Sequence, residues 1–597
     1  MDEEHEQPSD GDLELLRAYE PVLRLTRGEY FVPVAVEGFV RRSTLWLEGP
    51  DDRSTVVASP GALTLDALAR IGAGRDGPGL SLSDIGDPRS FWERIGSWFR
   101  RGRRPRFRAG SRLAQVGLLG RTIDTLSRLS LLVRGAVPGG SANSSLAAQT
   151  DHLRPDRATY YGRVLRDGPW IVCQYWFFYA FNNWRSGFSG VNEHEGDWEQ
   201  VTIYLDGSGP VDPEGLPPPR WVVFSAHDET GDDLRRRWDD PDVTVVNGRH
   251  PVVFVGAGSH SGAYLPGDYL ITIVPPSWGG IVPGVRRLAK VFTPWSRAAQ
   301  GSGLGIPYID YARGDGSSIG PWQERTWSAV HIDEDTPWVR DYRGLWGHDT
   351  RDRLGGERGP AGPRYERNAT VRMSWGDPVG WAGLAKVAPN PVAEENLIRR
   401  RIADIDEQLG QVEAETERAG DSLASRAAGL GAASPAVRAL EPDERQRTAA
   451  RLEAVRLRDE RSRLERALRD GLPPSDPHTH LLHRRLPIHA SERGRARVLG
   501  AWSVISTPLV VFLIAVLFNP DTYQRWAYAV GLIVIVLSVE AFTRGYFLAF
   551  IARVMALTLV LNLFDLYLGS WQIVSYWTLV GVAIVILVIN LRDALRR

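Results

Sequence analysis

Within the six residues His194-Glu195-Gly196-Asp197-Trp198-Glu199 the chain gathers an imidazole and several carboxylates. The residues that follow, Val201, Ile203 and Leu205, alternate with polar neighbours, which is the period of a half-buried strand. Alternate side chains of a strand share a face, so Asp197 and Glu199 continue the apolar row inward. Two ionised carboxylates buried without partners are costly, and something must compensate them. One answer is a divalent cation held by His194, Asp197 and Glu199. Oxygen donors with an imidazole suit magnesium, calcium, manganese or zinc to differing degrees. The other answer is an arginine, which would make the block a salt-bridged structural motif.

Two further runs point toward the same place. Trp221–His227 and Val252–His260 are apolar and each ends in a histidine, as strands lining one pocket do. Singly, such histidines are ordinary loop residues. Together with the 194–199 block they add His260 to the metal candidates, and either His227 or His260 is the general base if the site hydrolyses a substrate. The turn Gly256-Ala257-Gly258-Ser259-His260-Ser261-Gly262 has glycines, but Gly262 falls one residue past a dinucleotide-binding spacing. Pro266 then ends any helix that would have to follow. Nucleotide binding at this turn is excluded, and no phosphate-binding loop, nucleophile elbow or H-E-x-x-H motif occurs elsewhere.

The elements that must carry these residues are unlike one another. The 597 residues have a net charge of −1, with 43% hydrophobic and 24% charged. Those values exclude a mostly disordered chain and a nucleic-acid binder built on overall basic charge. A single cysteine, Cys173, excludes an intramolecular disulfide and any zinc site of several thiolates. Lys290 and Lys386 are the only lysines beside 69 arginines, a bias that reads as GC-rich bacterial coding.

Residues 1–15 read as an acidic disordered tail. Residues 16–388 read as mainly β, with strands expected at Val22–Leu25, Ile171–Phe178, Glu199–Leu205, Trp221–Phe224, Val252–Val255 and Tyr269–Ile273. A helical insertion is expected at about 62–135, with seven arginines between Arg100 and Arg112 beside Phe91, Trp92, Trp98 and Phe99. It is either a solvated basic loop or a contact for anionic lipid head groups.

Residues 391–471 read as a coiled-coil hairpin. Ile398, Ile402, Ile405, Leu409 and Val412 form the first seam, and Leu452, Val455, Leu464 and Leu468 the second. The hairpin is either an oligomerisation element, giving a homo-oligomer, or a piece packed on the main domain. A basic linker, 472–497, leads to four apolar runs at 499–518, 526–543, 546–567 and 573–591, each long enough for a crossing helix, within a region of 498–591. Both flanks, 472–497 and the tail 592–597, are arginine-rich. The positive-inside rule then places the N-terminal domain and the C-terminus in the cytoplasm of an integral membrane protein of a bacterial plasma membrane. The N-terminus lacks the apolar core of a secretory signal. Glu540, Arg553 and Asp565 would lie inside the membrane, as helix–helix glue or as an ion or proton path, with Glu540 and Arg553 placed to pair across helices.

Several motifs carry a resemblance. Gln174-Tyr175-Trp176-Phe177-Phe178-Tyr179, the 194–199 block, Ser225-Ala226-His227 and Gly258-Ser259-His260 with Tyr264 occur in that order. Tyr19-Glu20-Pro21-Val22-Leu23, Glu29 and Pro33-Val34 precede them. Over roughly 16–388 this pattern resembles the family of vacuolar protein sorting-associated protein sixty-two. The 194–199 block is also similar to the G-H-R-H-D-W-E heptapeptide of necrosis-inducing NLP toxins. That second resemblance implies a β-sandwich in which His194, Asp197 and Glu199 surround a divalent cation. Gly196 stands where the toxin motif has its second histidine.

The chain is therefore expected to be multi-domain: an NLP-like mainly-β sandwich with a helical insertion, a coiled-coil hairpin and a four-helix transmembrane region. Its expected function is a membrane-anchored cytosolic sandwich that binds a divalent cation and, through it, a lipid or glycan head group. Two alternatives stand beside it, a metal-dependent hydrolase of phosphoesters or glycans, and a membrane-perturbing or channel protein with a sensor domain.

Overall fold

The structure is a computed structural model. It describes residues 10–49, 54–74, 79–84, 157–184, 193–225, 231–273, 306–348, 359–431, 434–471, 476–481, 484–487 and 524–569, with isolated residues between. The arginine- and aromatic-rich stretch 91–112, His227, and nearly all of the apolar runs 499–518 and 573–591 lie outside the described residues.

The run Trp170–Asn182 contains no glycine or proline and is dense in aromatic and β-branched residues, the composition of a strand at the centre of a sheet. It is β6 of a six-stranded sheet. In sequence order the members are β5 (Arg157–Asp167), β6, β7 (His194–Asp206), β8 (Pro219–Phe224), β9 (Arg236–Arg237) and β16 (Thr326–His331). They lie side by side as β16-β5-β6-β7-β8-β9, antiparallel except for the parallel β16–β5 pair. A second sheet is ordered β10-β11-β1-β15, with β12 also on β11. Its strands are β1 (Val22–Arg24), β10 (Val245–Val246), β11 (His250–Val255), β12 (Gly262–Ala263) and β15 (Ser318–Ile319). Strands β2 (Thr44–Glu48), β3 (Ser54–Ala58) and β4 (Leu80–Ser83) form a three-stranded sheet, and β13 (Gly267–Ile273) pairs with β14 (Ile306–Ala312).

One face of the six-stranded sheet carries Cys173, Tyr175, Phe177, Tyr179, Val201, Ile203 and Leu205. It packs on Leu23, Val253, Val255 and Ile319 of the second sheet and on helix α1 (Asp10–Tyr19) through Leu15, Leu16 and Tyr19. The opposite face is covered as well. Trp176, Phe178 and Trp198 meet helices α2 (Val36–Arg42) and α3 (Leu65–Ala73), β4, and Trp338 and Trp346. Trp170, Val172 and Tyr204 meet Leu234, Val379 and Leu384. The half-buried strand expected at 199–205 is thus corrected, since β7 is buried on both faces from Glu195 to Asp206. Its polar residues deceive because they satisfy each other inside, Gln200 Nε2 donating to Thr202 Oγ1 at 2.7 Å. The expected helical insertion begins as helix α3, capped by Thr64, but the chain then returns as strand β4 against β2.

Helices α4 (Pro391–Ala427) and α5 (Glu441–Asp470) form an antiparallel pair. Pairs Arg401–Glu460, Asp406–Arg461 and Arg426–Asp443 fix that direction. On α4 the seam residues Ile405 and Leu409 are buried, but on α5 the buried residues are Ala454 and Leu457, while Leu452 and Val455 face outward. The seam is used within the chain, and the small Ala454 lets the helices approach where larger residues were expected to pack. We expect Ile405→Ala to weaken the hairpin by about 2–4 kcal/mol and Leu452→Ala to stay within about 0.5 kcal/mol, read as amide exchange along α4 and α5.

Downstream, helices α6 (Gln524–Thr543) and α7 (Phe547–Gly569) are joined by a turn at Gly545, whose φ is +79°. No helix among the described residues is long and apolar enough to cross a membrane. This overturns the four-crossing region, and with it the integral-membrane and plasma-membrane placement drawn from it. Polar groups of α6 and α7 have partners near at hand. Glu540 accepts from Trp502 Nε1 (2.5 Å) and from Arg544 Nε (2.7 Å). Arg553 is exposed and donates to the Ala549 carbonyl at 2.9 Å. Asp565 lies in α7, with its side chain outside the described residues.

Candidate functional site

Strand pairing sets Asp197 opposite Tyr179 and Glu199 opposite Phe177, on the face that meets the second sheet. Gly196 arranges what comes just before. Its φ is +63°, and a Cβ there would overlap the Trp346 carbonyl. The left-handed residue breaks the strand alternation, so Glu195 and Asp197 serve different surroundings. Glu195 accepts from the backbone N–H groups of Asp84 (2.6 Å) and His348 (3.3 Å). Asp197 turns to the other layer.

There the 256–261 turn between β11 and β12 delivers His260. Its backbone N–H closes the turn on the Gly256 carbonyl at 2.9 Å, and His260 itself sits at φ +58°, a conformation unusual for a residue with a Cβ and often kept at functional positions. The glycines serve this turn and no nucleotide. A Cβ at Gly256 would overlap the Asp310 carboxylate and the Ser259 hydroxyl.

The imidazole is completely enclosed. His260 Nδ1 lies 2.8 Å from Asp197 Oδ2, Nε2 lies 3.8 Å from Glu29 Oε1, and the ring stacks on Tyr179 with centroids 3.8 Å apart and an angle of 2°. Asn182 Nδ2 donates to the same Asp197 oxygen at 3.1 Å. Glu199 accepts from the Ser225 hydroxyl at 3.3 Å. Asp310, reaching in from β14, accepts from Ser259 (2.7 Å) and Ser261 (2.5 Å). Glu29 is held by the N–H groups of Tyr30, Phe31 and Gly258 at 2.7–2.9 Å.

The electrostatics follow from burial and these neighbours. Burial works against a charged His260, yet the hydrogen bonds to Asp197 and Glu29 outweigh it and raise its pKa to about 9. Burial, with the Asp197 charge added, pushes Glu199 well above the usual carboxylate range.

Of the residues expected at the site, Asp197, Glu199 and His260 are brought together. His194 stands at the start of β7, half-buried, with Nδ1 2.9 Å from the Gly196 carbonyl. Glu29 enters the sequence pattern only through the family resemblance, and Asp310 carries no sequence signal; each lies far along the chain from Asp197. The donor chemistry and the 2.8 Å Asp197–His260 separation suit two ligands on one small divalent ion, whose bonds of about 2.1 Å leave neighbouring donors about 3 Å apart. The same separation suits a direct hydrogen bond. Among the described residues, three possible ligand atoms within 4.8 Å of one another are found at Asp240, Asp242 and His478, whereas Asp197, Glu199 and His260 lie near each other without forming so tight a set. Nothing in the sequence signals the first group, because His478 comes from beyond the hairpin.

No family model and no curated protein matches the chain. A solved structure of NLPPya carrying three substitutions is similar at 15% identity, over 18% of this chain and 42% of that chain, with a TM-score of 0.12. The resemblance to the sorting family therefore has no matching family model behind it. The likeness to NLP proteins amounts to this weak and partial overlap, which spans less than half of the other chain.

Proposed function

We propose that the β-rich unit is a divalent-cation-binding sandwich, in which Asp197, Glu199 and His260 hold the ion and the ion engages an oxygen-bearing polar ligand. One observation supports the reading above others. Four carboxylates (Glu29, Asp197, Glu199 and Asp310) share one buried patch with a single imidazole. Anionic oxygen donors concentrated in a low-dielectric interior are what a hard divalent cation requires. Uptake of the ion would displace the proton that His260 holds, so affinity rises with pH toward about 9. The measurement is metal content and calorimetric titration of the full chain with magnesium, calcium, manganese and zinc. Stoichiometric uptake that is lost in Asp197→Asn with Glu199→Gln, the fold being kept, supports the reading. A chain that binds none of the four with micromolar or better affinity, or a double variant that binds as well, rejects it.

A second reading is favoured by the His260–Asp197 hydrogen bond itself. The cluster is then a structural ion-pair node that pins the 256–261 turn to β7. In that case no metal is found, and His260 substitutions change stability alone.

A further inference from the structure

Two acidic nodes lie at one end of the six-stranded sheet, where Trp221 of β8 pairs with Tyr204 on one side and Arg237 on the other. The first is Asp206, the last residue of β7. Its carboxylate accepts from Arg220 Nη2 (3.1 Å) and from Asn390 Nδ2 (2.9 and 3.0 Å). Asn390 is the N-cap of α4, so the helical hairpin leaves the sheet at this node. The second is the corner that follows edge strand β9. Asp240 and Asp242 are buried there, and Asp242 lies 3.9 Å from Arg236 Nε.

Residues 476–481 and 484–487, which follow the hairpin, return to this corner. His478 Nε2 lies 2.8 Å from Asp240 Oδ1 and 3.4 Å from Asp242 Oδ2. Arg484 grips Asp242 with both prongs, Nε at 2.9 Å and Nη2 at 2.6 Å. His480 Nε2 is 3.0 Å from the Arg235 carbonyl, its ring edge-on to Trp221 with centroids 5.3 Å apart. Pro487 packs so closely on Gly267 that a Cβ at 267 would overlap it.

Three possible metal ligands meet in this group, but charge balance argues against an ion. Arg236 and Arg484 already match the two carboxylates, and a divalent cation would leave the corner strongly positive. Beside the His480–Trp221 and Pro487–Gly267 contacts the attachment rests on charges, and Arg484 is about a third exposed to solvent. Salt reaches the catch through that exposed guanidinium, while the buried Asp240 and Asp242 are screened less.

We propose that residues 476–481 and 484–487 form a releasable ionic latch, which holds the C-terminal side of the helical hairpin against the edge of the six-stranded sheet. The Asn390–Asp206 node is the fixed hinge, and the 240–242 corner is the catch. When the catch opens, edge strand β9 is uncovered and the hairpin swings from Asp206.

Timed trypsin digestion of the full chain tests this, reading cleavage after Arg484 and Arg485 by mass spectrometry. Cleavage there is expected to be slow at low salt and to accelerate at least about threefold between 50 and 500 mM salt, as screening weakens the catch. Asp242→Asn raises the low-salt rate about tenfold and abolishes the salt dependence. If Asp242→Asn disturbs the corner itself, His478→Gln, placed on the strap, gives the same change at about threefold with the sheet's circular dichroism intact. Cleavage of the unsubstituted chain that ignores salt, or rates unchanged in both variants, overturns the latch.

Discussion

Replacing Gly196 with histidine is expected to cost more than about 3 kcal/mol, or to prevent folding outright. Two costs add. A non-glycine residue in the left-handed region loses about 1–2 kcal/mol, and at φ +63° this applies to Gly196 in full. The Cβ must also displace the Trp346 carbonyl, whose N–H side is fixed by a 2.7 Å bond to the Pro360 carbonyl and whose ring packs against Trp198, Trp338 and Tyr342. Nothing flexible is available to move. Gly196→Ala should lose nearly as much, because the overlap begins at Cβ. Denaturant unfolding of the two variants reads the result. A loss below about 1 kcal/mol for either would mean that the 346–348 loop does not lie against β7. A histidine at position 196 therefore has no room in this chain.

The second large effect concerns His260. With a folded pKa raised to about 9 from 6.5, the imidazolium contributes stability that is complete below pH 6.5 and disappears as pH climbs through 9. The full contribution is about 3 kcal/mol, at about 1.4 kcal/mol for each tenfold gain in proton affinity on folding. Metal-free protein should therefore lose stability between pH 6.5 and 9, and His260→Asn should reduce that slope, leaving the part that the raised Glu199 carboxyl contributes. Glu20 must be kept apart from this. Burial raises its pKa from 4.5 to about 7, so it removes stability between those two values, below most of the His260 window. Asp197→Ala is the harsher substitution, costing about 3–5 kcal/mol, since it strands an enclosed imidazolium. A stability profile that is level from pH 7 to 9 in unsubstituted, metal-free protein would rule out the charged pair. Saturating metal should abolish the slope if the cation-binding reading is right, because the bound ion keeps the imidazole neutral.

The six apolar runs expected as strands each form one, with Leu25 alone falling one residue past β1, because aromatic and β-branched residues in short runs bounded by turn residues leave little choice of backbone. The layers are less legible. Gln200 and Thr202 look like a solvent face in sequence, yet they bond each other beneath the wall that α2, α3 and β4 help to build. Polarity in a strand is not the same as exposure. At the site, Asp197 and Glu199 are visible because they continue a strand's alternation, and His260 because it ends an apolar run. Glu29 and Asp310 are not, since their meeting depends on β1 pairing with β11 and on β14 reaching the 256–261 turn. Hydropathy over-reaches downstream, where apolar runs suggest crossings although runs alone do not define the helices that form.

The parallel pair between β1 and β11 has a kinetic consequence. Val22 finds its partner in Val252, over two hundred residues later in the chain. At about 5–20 residues per second, β1 waits roughly 10–50 s after its own synthesis before that partner exists. Closing so long a loop costs entropy before any contact repays it, which places this pairing late and makes it slow. Throughout that interval Leu23 and Leu25, both enclosed in the finished fold, lack their sheet partner, although Leu16 of α1 can already meet β5 and β6. The N-terminal forty residues are thus a natural landing site for a chaperone that recognises extended apolar segments.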